Sequence, residues 1–215
     1  MGLNDTPRGE RLHIALFGKR NAGKSSIINA LTNQNIAIVS DQKGTTTDPV
    51  YKAMELLPLG PVVMIDTPGL DDEGDLGLLR VKKAKEVLAK TDVALIVVDS
   101  SSGISSFEDE LISEMKEKNV PFLLLLNKND LLPEKTSKNE FKDSLTKKYG
   151  STVLFVSALT GTGIEDVKVE LGKYEKNRET QEKKIVADLL EPGDFVVLVV
   201  PIDKAPPKGR LILPQ

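Results

Sequence analysis

The stretch Gly18–Ser25, GKRNAGKS, has two glycines, a lysine and a serine at the spacing G-x-x-x-x-G-K-S. It lies between the apolar run LHIALFG and the helical pattern SIINALT. Backbone N–H groups of such a loop, helped by the helix dipole, can surround phosphate groups. Lys24 would neutralise the terminal phosphates and Ser25 would offer a hydroxyl to Mg²⁺. The alternative is a chance glycine turn. The residues predicted to form this cradle are Asn21, Ala22, Gly23, Lys24, Ser25 and Ser26.

A second candidate segment, DTPG at Asp66–Gly69, ends another apolar run. A carboxylate in that position can hold Mg²⁺ directly or through water, and the Gly69 amide can sense a terminal phosphate. By itself the segment would be read as an ordinary Asx or Pro-Gly turn. Its place after a strand, with the cradle at the end of another, favours the magnesium interpretation.

The segment NKND, Asn127–Asp130, follows the apolar run PFLLLL. The Asp130 carboxylate can accept hydrogen bonds from the N1–H and the exocyclic amine of guanine, which adenine cannot supply. Lys128 would lay its aliphatic stem along the base, and Asn127 would tie this loop to the cradle. Further on, SAL begins at Ser157, where the Ala158 amide is placed to meet the guanine carbonyl.

The elements that must position these residues alternate between apolar runs and helical patterns along most of the chain. This alternation predicts an α/β fold, with a mostly parallel six-stranded sheet and helices on both of its faces. The exception is YKAMELLPLGPVVMIDT, whose short Leu-Gly-Pro turn predicts a hairpin and one antiparallel edge strand. Open sheets of this kind bind ligands at the carboxyl ends of their strands, where the motifs lie.

Composition narrows the possible partners. The 215 residues include 29 Lys and Arg against 32 Asp and Glu, a net charge of −3, which favours no nucleic-acid partner. There is no cysteine, which excludes a disulfide, a thiolate nucleophile and a cysteine-held iron-sulfur cluster from this chain. The apolar runs are too short to span a membrane, and the polar N-terminus has no apolar signal core. We expect a soluble, cytoplasmic protein with no membrane partner.

The cradle, GTTTD, DTPG, NKND and SAL occur in this order, each at a strand end, and resemble the five motifs of the Ras-like GTPase superfamily from about Leu12 to Leu171. The resemblance implies a Ras-like P-loop GTPase fold that binds GTP and GDP. It suggests Thr46 as the Mg²⁺-binding threonine of GTTTD, with Thr45 and Thr47 left open. A flexible polar loop is the alternative for this tract, and both can hold for a switch segment.

The form N-x-G-K-S with GTT-x-D is similar to the TrmE-Era branch of that superfamily. In that branch the cradle asparagine accompanies activation by potassium, so the resemblance implies that Asn21 helps to coordinate a K⁺ ion that bridges the phosphates. The alternative is that Asn21 is simply a small polar residue that tolerates a turn.

Leu70 follows DTPG, where signalling GTPases carry the glutamine that orients the attacking water. We therefore expect slow intrinsic hydrolysis, assisted by K⁺, by a partner or by Glu73 or Asp75. A solvated acidic turn is the preferred reading of those two carboxylates. The catalytic residues implied by the resemblance are Lys24, Asn21, Thr46 and Gly69.

Three stretches outside the nucleotide motifs resemble the GTPase domain of the HydF family, scaffold proteins that mature iron-iron hydrogenase. They are GTTTDPVYKAMELLPLGPVVMIDTPGLDD, LRVKKAKEVLAKTD and VVLVVPIDKAPPKGRLILPQ. The resemblance implies a GTPase domain at 1–174, then a linker and the beginning of a dimerisation domain at 175–215, which we expect to be truncated. It also implies self-association and hydrogenase-maturation partners, through regions partly absent here. In that family the iron-sulfur cluster is held by a further domain.

The function expected from these features is a guanine-nucleotide switch that slowly hydrolyses GTP to GDP and phosphate, with Mg²⁺ and K⁺, during maturation of the hydrogenase cluster. Two alternatives stay open. A ribosome-assembly or tRNA-modifying GTPase of the same branch would share every motif, and a module that binds GTP without hydrolysing it would fit Leu70.

Overall fold

The computed structural model describes residues 11–32, 49–69, 83–132 and 138–180, with side chains as far as residue 174. The chain divides into two units, Met1–Thr180 and Gln181–Gln215, and every described residue lies in the first. Among the described helices, none has the length and apolar character needed to cross a membrane.

Six strands form one sheet, in the order β2-β3-β1-β4-β5-β6. The β2–β3 pair is antiparallel and the other four pairs are parallel, which confirms the predicted sheet and its antiparallel edge strand. The strands are β1 (Leu12–Phe17), β2 (Val50–Leu56), β3 (Gly60–Asp66), β4 (Val93–Asp99), β5 (Phe122–Asn127) and β6 (Val153–Phe155).

Helices cover both faces of this sheet. They are α1 (Lys24–Thr32), α2 (described over residues 83–88), α3 (Ser106–Glu117), α4 (Lys138–Tyr149) and α5 (Ile164–Thr180), with a short 3₁₀ turn at Asn129–Leu131. Alternate residues of the central strands point to opposite faces, so β1 sends Leu16 to the core beneath α1 and α5, and Phe17 to the core beneath α2, α3 and α4.

The central strands are apolar along nearly their whole length because both of their faces are covered. In β5 all six residues from Phe122 to Asn127 are buried, and in β4 only the last residue, Asp99, is less than fully buried. A fully buried Leu, Ile or Val contributes about 1.5–3 kcal/mol relative to an exposed one. This buried platform holds the loops at the carboxyl ends of β1, β3, β4, β5 and β6 in place.

Candidate nucleotide-binding site

The loop between β1 and α1 is packed so tightly that two of its positions admit only glycine. Gly18 and Gly23 have φ angles of +145° and +95°. A Cβ atom on Gly18 would lie 2.1 Å from the Val97 carbonyl oxygen, and one on Gly23 would lie 2.2 Å from Nδ2 of Asn127. The two glycines therefore let the cradle close onto the end of β4 and onto the NKND segment.

Lys24 points its ammonium group back into this loop. Its Nζ donates hydrogen bonds to the carbonyl oxygens of Gly18 at 2.8 Å and Lys19 at 2.9 Å, and the residue is 7% exposed. A buried cation is stable only when it is compensated by acceptors or by an anion. Lys24 therefore holds a positive charge inside the cradle, where phosphate oxygens are the natural additional acceptors.

Ser25 and Asp66 are brought together although they are 41 positions apart. The Ser25 hydroxyl donates a 2.7 Å hydrogen bond to Oδ2 of Asp66, which joins the first turn of α1 to the end of β3. A hydroxyl and a carboxylate beside a phosphate cradle are hard oxygen donors of the kind that Mg²⁺ binds. The two residues therefore fit a magnesium ion, with the hydroxyl turning its proton away from the metal.

Asn21 has a left-handed backbone, with a φ angle of +61°. Asparagine tolerates this conformation better than most residues do. The residue is exposed, and within the described part of the chain its side chain has no hydrogen-bond partner. The turn explains why a small polar residue stands at this position, and the exposed amide is available for a ligand. Both interpretations of Asn21 are therefore compatible with its geometry.

The DTPG segment lies directly against the cradle. The Thr67 hydroxyl donates a 2.5 Å hydrogen bond to the carbonyl oxygen of Leu16 in β1. A Cβ atom on Gly69 would lie 2.6 Å from Cα of Arg20. Gly69 therefore allows the backbone after β3 to approach the backbone of the phosphate loop, which suits an amide that contacts the terminal phosphate.

Asn127 connects three loops through one buried side chain. Its Nδ2 donates to the Ala22 carbonyl oxygen at 2.8 Å, and its Oδ1 accepts a bond from the Ala158 N–H at 3.1 Å. Only 2% of the residue is exposed. The cradle, the NKND segment and the SAL segment are therefore held in register by a single amide group.

We expect Asn127→Ala to lower the free energy of unfolding by about 2 kcal/mol, because two buried hydrogen bonds of about 1 kcal/mol each are lost. Urea denaturation followed by circular dichroism measures this loss. The control is Asn139→Ala on the exposed surface of α4, which is expected to change stability by less than about 0.5 kcal/mol. Equal effects of the two substitutions would contradict the connecting role.

Asp130 presents its carboxylate at the edge of the site. The Ser157 hydroxyl donates a 2.5 Å hydrogen bond to Oδ1 of Asp130, and the Thr160 N–H donates to the same hydroxyl at 3.2 Å. Ser157 is 1% exposed, whereas Asp130 is exposed. A buried hydroxyl thus fixes the direction of an exposed carboxylate. Such a carboxylate can accept two parallel N–H bonds from a ligand.

Lys128 also has a left-handed backbone, with a φ angle of +61°. Its Nζ donates a 2.6 Å hydrogen bond to Oδ2 of Asp99, the last residue of β4. Burial alone would raise the pKa of Asp99, but hydrogen bonds from Lys128 and Ser101 outweigh this and hold that pKa below its ordinary value. The carboxylate is therefore ionised at neutral pH.

Asp99 was not singled out in the sequence, although a signal for it was present. Like the residues of DTPG and NKND, it stands at the carboxyl end of a buried strand, in the run VALIVVDSSSG. The rule that located those motifs applies equally to Asp99.

Six of the residues named in the sequence analysis lie outside the described residues: Thr46, its alternatives Thr45 and Thr47, and then Leu70, Glu73 and Asp75. The other predicted site residues lie at one edge of the sheet, at the carboxyl ends of β1, β3, β5 and β6. A glycine-bounded loop that opens a helix, a buried lysine within it and a hydroxyl–carboxylate pair beside it define a P-loop nucleotide-binding fold.

The chain belongs to the family described as "50S ribosome-binding GTPase", which matches residues 13–128. Residues 185–215 match a second family, the "Hydrogen maturase F dimerization domain". Together the two matches confirm the resemblance to the HydF family, because a GTPase domain is followed here by that dimerisation domain.

Curated relatives include GTPase Der of Xanthomonas campestris pv. campestris, 36% identical over 162 residues that cover 74% of this chain and 34% of Der. The tRNA modification GTPase MnmE of Thermoanaerobacter sp. is 39% identical over 159 residues, covering 74% of this chain and 33% of MnmE. The chain therefore spans about a third of the length of these relatives.

Among solved structures, Era of Aquifex aeolicus bound to GDP and AlF₄⁻ is 28% identical, with a TM-score of 0.65 over 75% of this chain and 56% of that one. Era in complex with MgGDPNP and a 16S ribosomal RNA segment is 28% identical, with a TM-score of 0.64 over the same shares. The described residues are therefore a GTP-binding GTPase domain of the TrmE-Era-Der branch.

Proposed function

We propose that this chain is a guanine-nucleotide switch that hydrolyses GTP slowly and acts in the maturation of the iron-iron hydrogenase cluster. The observation that carries the nucleotide part is the Ser157–Asp130 pair at the same sheet edge as the phosphate cradle. The hydrogenase part is supported by the match of residues 185–215 to the Hydrogen maturase F dimerization domain.

We assign the guanine base to three segments. Asp130 accepts the N1–H and the exocyclic amine, Lys128 covers the base with its aliphatic stem, and the Ala158 amide donates to the guanine carbonyl. Asn127 holds these groups at a set distance from the cradle. The phosphates lie against the backbone amides of the cradle, from Asn21 to Ser26, where α1 begins.

Ser25 and Asp66 would hold Mg²⁺ together with Thr46 in the triphosphate state. When bound, the metal neutralises charge on the β- and γ-phosphates. The contribution of this chain is to place a hydroxyl and a carboxylate 2.7 Å apart beside the phosphate site. The Era structure with MgGDPNP supports this proposal by family relationship.

The proposed reaction is in-line attack of water on the γ-phosphorus. The bond from the water oxygen to phosphorus forms, the bond from phosphorus to the β–γ bridging oxygen breaks, and GDP leaves with the electron pair. The Lys24 ammonium and the cradle amides stabilise charge that develops on the phosphate oxygens, and the Gly69 amide contacts the γ-phosphate. Leu70 has no polar group that could orient the water as glutamine does. The activation free energy of hydrolysis therefore stays high, and turnover is slow.

Asn21 is proposed to coordinate a K⁺ ion beside the phosphates, where positive charge opposes the charge that develops during hydrolysis. Two substitutions distinguish the role of the exposed amide of Asn21 from the role of its left-handed backbone. Asn21→Gly keeps the φ angle of +61° accessible without the amide, whereas Asn21→Ala removes the amide and also strains the turn.

Single-turnover GTP hydrolysis, measured in K⁺ and in Na⁺, tests both whether the chain hydrolyses GTP and whether Asn21 coordinates K⁺. The wild type is expected to hydrolyse GTP about tenfold or more faster in K⁺, and Asn21→Gly is expected to lose that difference. If Asn21→Gly keeps the potassium response and only Asn21→Ala is impaired, Asn21 serves the turn alone. No turnover by the wild type in either cation would leave a binding module that does not hydrolyse GTP.

The domain boundary and the partners belong to the same proposal. We assign the GTPase domain to 1–174 and the linker with the beginning of the dimerisation domain to 175–215, where self-association and contacts with hydrogenase-maturation partners would arise. A cytoplasmic location without nucleic-acid or membrane partners completes it. This chain has no cysteine to hold an iron-sulfur cluster.

A ribosome-assembly or tRNA-modifying role is the second candidate. The similarity to MnmE and Der favours it, as does the Era structure that contains 16S ribosomal RNA. Specific binding of tRNA or 16S ribosomal RNA at physiological salt would support this candidate over the hydrogenase role.

A further inference from the structure

The turn that follows β4 holds the segment proposed to read the base. Asp99 pairs in register with Asn127 in the parallel β4–β5 ladder. Ser100 then donates two hydrogen bonds to the Asn127 carbonyl oxygen, from its backbone N–H at 2.8 Å and from its hydroxyl at 2.6 Å. The next bond runs from Lys128 Nζ to Asp99 Oδ2 at 2.6 Å. The β4 turn therefore contacts both of the first two residues of NKND.

The Asp99 carboxylate is itself held in one orientation. Its Oδ1 accepts bonds from the Ser101 N–H at 2.9 Å and from the Ser101 hydroxyl at 2.6 Å, which leaves Oδ2 directed to Lys128. The side chains of Asp99 and Lys128 are 20% and 32% exposed, so the contact is only partly screened by water. An acceptor fixed in this way defines the path of the four-carbon stem of Lys128.

A lysine without this contact would sample many rotamers, because its side chain has four rotatable bonds and carries large conformational entropy. A base that stacks on the stem would then have to order it on binding, and affinity would fall by that cost. The contact with Asp99 orders the stem before the nucleotide arrives. Partly exposed ion pairs add little to overall stability, so the effect should appear in nucleotide binding more than in folding.

We propose that Asp99 is a positioning residue of the guanine site, which holds Lys128 so that its stem forms one wall for the base. The inference rests on the proposed function, because it requires Asp130 and Lys128 to bind guanine. It adds a residue from a fifth strand end, β4, to a site otherwise built from β1, β3, β5 and β6.

Dissociation of a fluorescent GDP analogue from the full chain tests the proposal in four proteins: the wild type, Asp99→Ala, Lys128→Ala and the double variant. Asp99→Ala is expected to speed dissociation about tenfold, because a charge-assisted contact that orders the stem is lost. If Asp99 acts through Lys128, the double variant dissociates no faster than Lys128→Ala. If the acceleration of dissociation in the double variant instead equals the product of the two single accelerations, the proposal is overturned.

Steady-state kinetics separate positioning from general damage. Asp99→Ala is expected to raise KM for GTP about tenfold with a much smaller change in kcat, since the base lies at the opposite end of the nucleotide from the reacting phosphate. A fall in kcat with KM unchanged would contradict the inference.

The matched control is Asp109→Ala, which removes a different aspartate that contacts a lysine, Lys148 at 3.1 Å, on the α3–α4 surface. This variant is expected to retain the wild-type dissociation rate. If GDP dissociates equally faster from the Asp99 and Asp109 variants, the faster dissociation is due to a general loss of stability. Failure of the proposed function is recognised separately, because the wild type itself would then not bind the GDP analogue.

Discussion

Asp130→Asn is expected to weaken GDP binding by about 10³-fold and to create affinity for xanthosine diphosphate, because the hydrogen-bond pattern at the base is changed at one atom. The carboxylate accepts two N–H bonds from guanine. The amide directs its own N–H at one of those donors, whereas xanthine presents a carbonyl oxygen there. Competition of each diphosphate against fluorescent GDP gives both affinities.

This substitution tests the base and leaves the surrounding fold intact. The asparagine oxygen can still accept the bond that the Ser157 hydroxyl donates to Oδ1 of Asp130, so the loop keeps its anchor. Asp143→Asn, on the exposed surface of α4, is the matched control and is expected to bind GDP like the wild type. Unchanged GDP affinity in Asp130→Asn, or equal affinity of the wild type for ATP and GTP, would remove Asp130 from the site.

Lys24→Ala is expected to slow GTP hydrolysis by about 10²–10³-fold, since a preorganised charge on a buried side chain at the reacting phosphate is removed. The ammonium is fixed by the carbonyl oxygens of Gly18 and Lys19 and needs no rearrangement when charge develops. Single-turnover release of phosphate at saturating GTP and Mg²⁺ measures the chemical step apart from binding.

Loss of folding is the alternative cause of such a defect, and two measurements address it. Lys24→Met retains most of the buried aliphatic stem and should show the same loss of hydrolysis with native circular dichroism. Lys90→Ala, at an exposed position after α2, should hydrolyse GTP like the wild type. A folded Lys24→Met protein with wild-type turnover would show that Lys24 does not act on the phosphate.

The architecture was predictable because burial leaves a direct trace in the sequence. In the runs VALIVVD and FLLLLN, nearly all residues are apolar, whichever face of the sheet they point to. Only a strand that is covered on both faces requires such a pattern. The turn between β2 and β3 is too short for a crossover helix, so those strands had to pair antiparallel. Strand ends then located the motifs, because parallel strands expose their carboxyl ends at a common edge.

The contacts within the site were less predictable, because they join residues far apart in the chain. The approach of Gly69 to Arg20 depends on how the β3 end packs beside the cradle. Lys128 and Asp99 meet across 29 positions, and nothing in either segment alone identifies the other as its partner. Asn21 illustrates the same limit, since its left-handed backbone is a property of the closed loop.

By itself, the sequence determined the order of the strands and helices along the chain, the position of the phosphate cradle and the set of side chains available for guanine and Mg²⁺. These depend on local periodicity and on residue chemistry, which are properties of short segments. Only the tertiary structure decided which carboxylate accepts from which donor: Asp66 from Ser25, Asp130 from Ser157 and Asp99 from Lys128. Hydrogen bonds act over about 3 Å, so their partners are set by the packing of helices on the sheet.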